Sequence, residues 1–106
     1  MEDALKAIAE PRRREILRLV RDGELTAGQI AAHFEITRPG VSQHLRVLKD
    51  AGLLDERRDG ARRLYRARPD GLADLRSFLE ELWSESLKRL KHEAEGDETR
   101  RRVDAN

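Results

Sequence analysis

The stretch that most constrains the fold runs from Thr26 to Gly52, TAGQIAAHFEITRPGVSQHLRVLKDAG. It contains two helix starts separated by little more than one short helix. Thr26 followed by Gln29 has the spacing of a capping box, and Ile30 with Phe34 forms an i, i+4 apolar pair. These signals predict a helix of about nine residues, closed by the three-residue turn Glu35-Ile36-Thr37. Thr37 can then cap a second helix, in which Pro39 is tolerated because it falls in the first turn. Gly52 stops that helix. At ~100° per residue, Val41, Leu45 and Leu48 share one face, while Ser42, Gln43, Arg46 and Lys49 share the opposite one. Two short helices joined by a tight turn, the second with an exposed polar and basic face, is the helix-turn-helix pattern.

The flanking segments extend this unit. Leu5 and Ile8 mark a short amphipathic helix that Pro11 stops or restarts. The run PRRREILRLVRDG places Arg13, Ile16, Leu17 and Val20 on one side, with Pro at its start and Gly23 past its end. After Gly52, LDERRDGARRLYRA carries Asp59-Gly60 between two basic arms, a hairpin signal. A basic hairpin directly after such a helix reads as a two-stranded wing. From Pro69 a long helix follows, with a stripe of Leu72, Leu75, Leu79, Leu82 or Trp83, Ser86 or Leu87, and Leu90. So much apolar helix surface has too little of its own small domain to lie on, which implies a partner helix. Residues 96–106 (GDETRRRVDAN) show no periodicity and read as a disordered charged tail, leaving one domain over 1–95.

Charge separates along the chain. The net formal charge of the 106 residues is only +1, yet residues 37–68 hold nine Arg and Lys against four Asp and Glu. Residues 11–21 are also basic, while the segments between and beyond are acidic. Segregated charge suits a polyanion that touches only part of the surface. No run of 18 apolar residues is present, nor a basic-then-apolar start of the signal-peptide kind. With no cysteine, disulfides and thiolate chemistry are excluded, and a cytoplasmic setting without membrane association is expected.

Four stretches, ALKAIAEPRRREIL, LTAGQIAAHF, TRPGVSQHLRVLKDAGLL and RRDGARRLYR, occur in this order. Over about residues 4–92 the chain resembles the arsenic-repressor-type (ArsR/SmtB) winged-helix regulators. The resemblance implies a mainly α fold of about five helices with a two-stranded β wing, dimerised through the first and last helices. It also implies occupation of operator DNA by a transcriptional regulator, most often a repressor. Many members carry two cysteines at the start of the helix before the recognition helix. Here Thr26 and Gly28 stand at those positions, and neither binds a soft metal. A second metal site of the family uses ligands on the last helix. His92 and Glu95 have part of its spacing, but Arg76 stands where an upstream His is needed. The chain therefore resembles the subset without metal-binding cysteines, and no cofactor or metal ligand is expected; His92 reads as part of a charged helix end.

Within this frame, Arg46 and Gln43 are the candidates for base contacts, since Arg reads guanine and Gln reads adenine bidentately. Arg38 and Ser42 lie near the helix start, where donors meet phosphate. Gly40 either permits close approach of the DNA backbone or is simply a tolerated first-turn glycine. Arg57, Arg58, Arg62 and Arg63 flank the hairpin turn. Strand alternation divides them between two faces, and Arg58 and Arg62 are taken as the wing contacts. The Arg12-Arg13-Arg14 cluster is expected either to meet phosphate or to pair with the acidic last helix, the second being favoured. His44 falls at the edge of the buried face. Leu5, Ile8, Leu75, Leu79, Leu82, Trp83 and Leu87 are assigned to a homodimer interface, with Trp83 as interface core rather than ligand box. Two readings remain beside a DNA-binding regulator. One is a winged-helix module that binds protein or RNA; the other is an enzyme. Three histidines, no cysteine and no glycine-rich phosphate loop argue against catalysis, so no catalytic residues are assigned. The expected partners are double-stranded operator DNA, a second copy of the chain and an inducer of unspecified chemistry.

Overall fold

The structure is a computed structural model that describes the backbone of residues 1–104 and the side chains of residues 1–95. The elements are α1 (Glu2–Ile8), α2 (Pro11–Leu19), β1 (Leu25–Thr26), α3 (Ala27–Ala31), α4 (Arg38–Asp50), β2 (Leu54–Asp59), β3 (Arg62–Ala67) and α5 (Pro69–Asp104). They fall into two compact units, Met1–Leu75 and the remainder of α5 from Arg76 onward.

The first unit is a winged helix-turn-helix fold. Its core is aliphatic: Ile16 and Val20 of the α2 region, Ile30 of α3, Val41, Leu45 and Leu48 of α4, and Leu53 are essentially inaccessible. This is the stripe that the 3.6-residue period places on the inner face of each helix. Among the described residues no polar or charged side chain is buried. The capping chemistry also forms as the sequence requires. Thr26 Oγ1 accepts from Gln29 N while Gln29 Oε1 accepts from Thr26 N, a complete capping box. Thr37 Oγ1 accepts from Gly40 N at the start of α4. Gly52 ends α4 in the left-handed region, φ 78°, and Leu53 N donates back to Leu48 O.

Several details depart from the sequence reading. α3 has five residues rather than about nine. After Ala31 the hydrogen bonds tighten, with His33 N donating to Ile30 O and Phe34 N to Ala31 O, so the chain turns early and Phe34 packs on the core. The connection to α4 therefore spans residues 32–37. The wing gains a third strand: β1 pairs antiparallel with β3, Leu25 opposite Tyr65, giving the order β1-β3-β2. The hairpin loop is Gly60-Ala61, one residue later than the Asp59-Gly60 signal, because Asp59 pairs with Arg62. Gly60 has φ 63°, the positive value that a primed turn needs at its first central position. A close approach explains a further glycine. A Cβ at Gly71, in the first turn of α5, would run into the Gly52 carbonyl oxygen, so glycine lets these two turns meet. α5 continues past Glu95, after which the charged tail is expected from the sequence; the tail's side chains and its last two residues lie outside the described residues.

The Arg12-Arg13-Arg14 cluster corrects a second expectation. Arg13 and Arg14 spend their donors on the end of α1 rather than on an acidic helix. Arg13 Nε donates to Ala7 O at 2.6 Å and Arg13 Nη2 to Lys6 O at 3.3 Å. Arg14 Nη1 donates to Ile8 O at 2.8 Å and Ala9 O at 3.2 Å. Two guanidiniums thus satisfy the carbonyls that a helix C-terminus leaves without partners, where the dipole favours cations. Arg13 Nη1 also lies 3.5 Å from His44 Nδ1 on α4, joining α1 and α4 through one side chain. Arg13→Ala is expected to lower stability by about 1–3 kcal/mol, since hydrogen bonds from a charged group are worth ~1.5–3 kcal/mol. Arg12→Ala, on an exposed residue, should stay within about 0.5 kcal/mol. Urea unfolding at constant m-value compares them; equal midpoints would contradict the capping role.

Candidate nucleic-acid interface

Burial of Val41, Leu45 and Leu48 fixes the rotation of α4. The same rotation leaves Ser42, Gln43, Arg46 and Lys49 exposed. Thr37 holds the helix start, and Arg38 and Pro39 occupy its exposed first turn. The wing lies beside this helix. A cavity of about 590 Å³ is lined by Arg38, Pro39 and Ser42 of the α4 region, by Arg62 and Arg63 of β3, and by Tyr65. A second, of about 480 Å³, is bounded by Pro39, Ser42, Gln43, Arg46, Val47 and Asp50. Ser42 borders both, so Arg38, Ser42, Gln43, Arg46 and Arg62 share one continuous surface.

Other candidates are placed differently. An added Cβ at Gly40 would sit 3.4 Å from Thr37 Oγ1, ordinary contact. Glycine is not forced there by backbone strain, as its φ is not positive. Arg58 pairs with Arg63 across the hairpin, and Arg57 with Leu64, so alternation puts Arg58 and Arg62 on opposite faces. His44 is half-buried, as its position on the wheel implies.

The wing cations are mostly held by carboxylates of their own chain. Arg57 reaches Glu24 at 2.7 Å, Arg62 reaches Asp59 at 3.2 Å, and Arg63 reaches Glu56 at 3.4 Å. Lys49 of α4 meets the same Glu56 at 3.1 Å. The hydrogen bond from Arg57 holds the Glu24 carboxyl below its usual range, against a smaller opposing effect of desolvation. The same contact raises Arg57. Among the described residues no ion pair engages Arg38, Arg46 or Arg58. Sequence reasoning missed this division because it depends on which strands and helices meet.

It also missed what places Arg38. A Cβ at Gly28 would lie 3.2 Å from Arg38 Nη2, so the guanidinium rests over the first turn of α3. Thr26 and Gly28 thus cap α3 and seat Arg38. His92 is exposed on α5, and among the described residues no three His, Asp or Glu side chains converge into a metal-binding group.

The expected dimer residues divide as well. Leu5 and Ile8 of α1 pack at the margin of the core. Leu75 is only 7% exposed within the first unit, which removes it from the free stripe. Leu79, Leu82, Trp83, Leu87 and Leu90 are 45–66% exposed. No helix among the described residues is long and apolar enough to cross a membrane.

Comparison with known proteins agrees with this geometry. Residues 10–56 match the family described as bacterial regulatory protein, arsR family. The chain is 41% identical over 98 residues to the HTH-type transcriptional regulator Rv2034 of Mycobacterium tuberculosis, covering 91% of this chain and 92% of that one. It is 47% identical over 60 residues to the transcriptional repressor SdpR of Bacillus subtilis, covering 57% of this chain and 67% of that one. The solution structure of a homodimeric winged helix-turn-helix DNA-binding domain from Mycobacterium bovis, a possible ArsR-family regulator, superposes with a TM-score of 0.64 at 32% identity. That match covers 79% of this chain and 78% of the other. With this sequence, this fold and these relatives, the chain belongs to the ArsR family of bacterial regulatory proteins, a family of transcriptional regulators rather than enzymes.

Proposed function

We propose that this chain is a homodimeric, sequence-specific DNA-binding repressor that occupies an inverted-repeat operator and does not respond to metals. The observation that carries the reading is the rotation of α4. Its apolar face is buried, while Ser42, Gln43 and Arg46 stand exposed beside a basic wing. In this reading Gln43 and Arg46 meet base edges, Arg38 and Ser42 meet phosphates, and Arg58 and Arg62, on opposite faces of the wing, meet phosphates on either side of it. Gly40 lets the helix start approach the DNA backbone. The repressor among the relatives and the homodimeric domain among the solved structures support the same assignment. The direct test is titration against DNA from upstream of the chain's own gene, with and without excess random duplex. Discrimination supports the proposal; equal competition by random duplex contradicts it.

Individual contacts have separable signatures. Arg46→Ala should relax base preference at one position, costing ~1–3 kcal/mol of discrimination. Arg58→Ala or Arg62→Ala should weaken all sequences alike and flatten the salt dependence by about one charge each. Quantitative binding at several salt concentrations reads both. Unchanged affinity and preference in Arg46→Ala would refute this orientation of α4 on DNA.

The dimer is assigned to the stripe Leu79, Leu82, Trp83, Leu87 and Leu90 against a second copy, with Leu5 and Ile8 as the contribution of α1. Each such side chain gains ~1.5–3 kcal/mol on full burial, so several per subunit can outweigh the entropy of association. A two-fold dimer then presents two α4 helices to half-sites of one operator. Leu79→Glu should abolish operator binding without altering any DNA contact. Sedimentation at micromolar concentration should show a wild-type dimer and a folded monomeric variant; a wild-type monomer that binds tightly overturns the assignment.

Metal insensitivity follows from Thr26 and Gly28, the N-cap and second residue of α3, which offer no soft ligands, and from the missing upstream partner of His92. Zinc, cadmium, arsenite or a chelator should leave operator affinity unchanged within experimental error. A stoichiometric loss of affinity with one metal would contradict this part and direct attention to His92.

A further inference from the structure

We infer that Glu56 sets the sequence-independent part of DNA affinity, as an internal counter-ion that withholds Lys49 and Arg63 from DNA phosphates. The inference rests on the DNA-binding reading and goes beyond it. Glu56 lies in β2, directly opposite Tyr65 of β3. Its side chain is only 18% exposed, whereas those of Lys49 and Arg63 are 50% and 55% exposed. Each carboxylate oxygen takes one cation: Oε2 meets Lys49 Nζ at 3.1 Å and Oε1 lies 3.4 Å from Arg63 Nε. One cation comes from the last turn of α4 and the other from the wing. The three groups line a cavity of about 260 Å³ together with Ser42 and Arg46, beside the proposed base-reading side chains.

Phosphate contacts supply sequence-independent affinity, whereas base contacts supply discrimination. A fixed carboxylate between two cations lowers the first without touching the second. It is covered on most sides, so salt screens it less than it screens an exposed pair. Arg38 and Arg46, which no such carboxylate engages among the described residues, keep their full charge for DNA. The two cations that share this cavity with Arg46 are therefore partly neutralised, and every DNA sequence loses affinity alike.

The test uses Glu56→Gln in the full chain, with a random 30-base-pair duplex and the upstream fragment as probes. Each released cation adds up to ~0.9 to the slope of log affinity against log salt, so the slope should steepen by as much as ~1.8. Affinity for both probes should rise several-fold at low salt, while the ratio of upstream to random affinity stays near that of the wild type. Glu56→Asp, which keeps the charge, should remain near wild type, and adding Lys49→Gln to Glu56→Gln should cancel about half of the change. An unchanged slope and unchanged affinities in Glu56→Gln, with wild-type thermal unfolding, overturn the inference while leaving the DNA reading intact. Loss of random-duplex affinity in both Gln and Asp variants also overturns it, because it marks Glu56 as a support for the wing alone. A wild-type chain that fails to distinguish the two probes overturns the DNA reading itself, and this inference with it.

Discussion

Everything that positions the candidate interface depends on burying one face of a thirteen-residue helix. Val41, Leu45 and Leu48 of α4 enter the core with Ile16, Val20, Ile30 and Leu53, and α1, α2, α3 and β2 all touch this helix. Fully burying one such side chain gains ~1.5–3 kcal/mol, which is large against the net stability of a small domain. Rotating α4 by one residue would expose part of that stripe and bury Ser42 or Arg46 without a partner. The packing of the core and the direction of the reading face are therefore a single constraint. The ends of α4 reinforce it: the Thr37 cap at one end and the left-handed Gly52 at the other leave the helix no freedom to slide.

Electrostatics then sorts the cations that this scaffold displays. Composition suggests a basic patch, but the patch is not uniform. Arg13 and Arg14 serve the carbonyls at the end of α1, and Arg57, Arg62, Arg63 and Lys49 each face a carboxylate. Exposed pairs such as Arg62–Asp59 are individually weak and exchange readily for phosphate. The Lys49–Glu56–Arg63 group is better covered and shares one acid between two bases. A basic winged helix can thus hold back part of its charge, which lowers its attraction to any polyanion.

Much of this was legible in the sequence because it rests on local rules. The α4 stripe, the Thr26–Gln29 box, the Gly52 stop and the hairpin near Gly60 are set by residues within a few positions of one another. The misses share the opposite property. β1 is two residues long and exists only because β3 offers Tyr65 and Leu64 as partners. α3 shortens because Phe34 is drawn to the core, which propensity cannot register. Leu75 and Leu79 lie one turn apart on the same helical stripe, yet Leu75 is buried within the first unit and Leu79 is exposed. The capping of α1 by Arg13 and Arg14 spans five to seven residues through long side chains, and the Glu56 cluster joins α4 to both arms of the hairpin. Contacts of that range follow from tertiary geometry, not from spacing.

The central claim is that two copies of α4, fixed by their buried faces, read two related half-sites of one DNA site. Hydroxyl-radical footprinting of the full chain on its upstream DNA tests it most directly. The account predicts two protected half-sites related by a dyad, their centres ~34–36 Å apart, about one helical turn of DNA, or a whole multiple of it. A single protected half-site, or protection that spreads without a dyad as concentration rises, would contradict it.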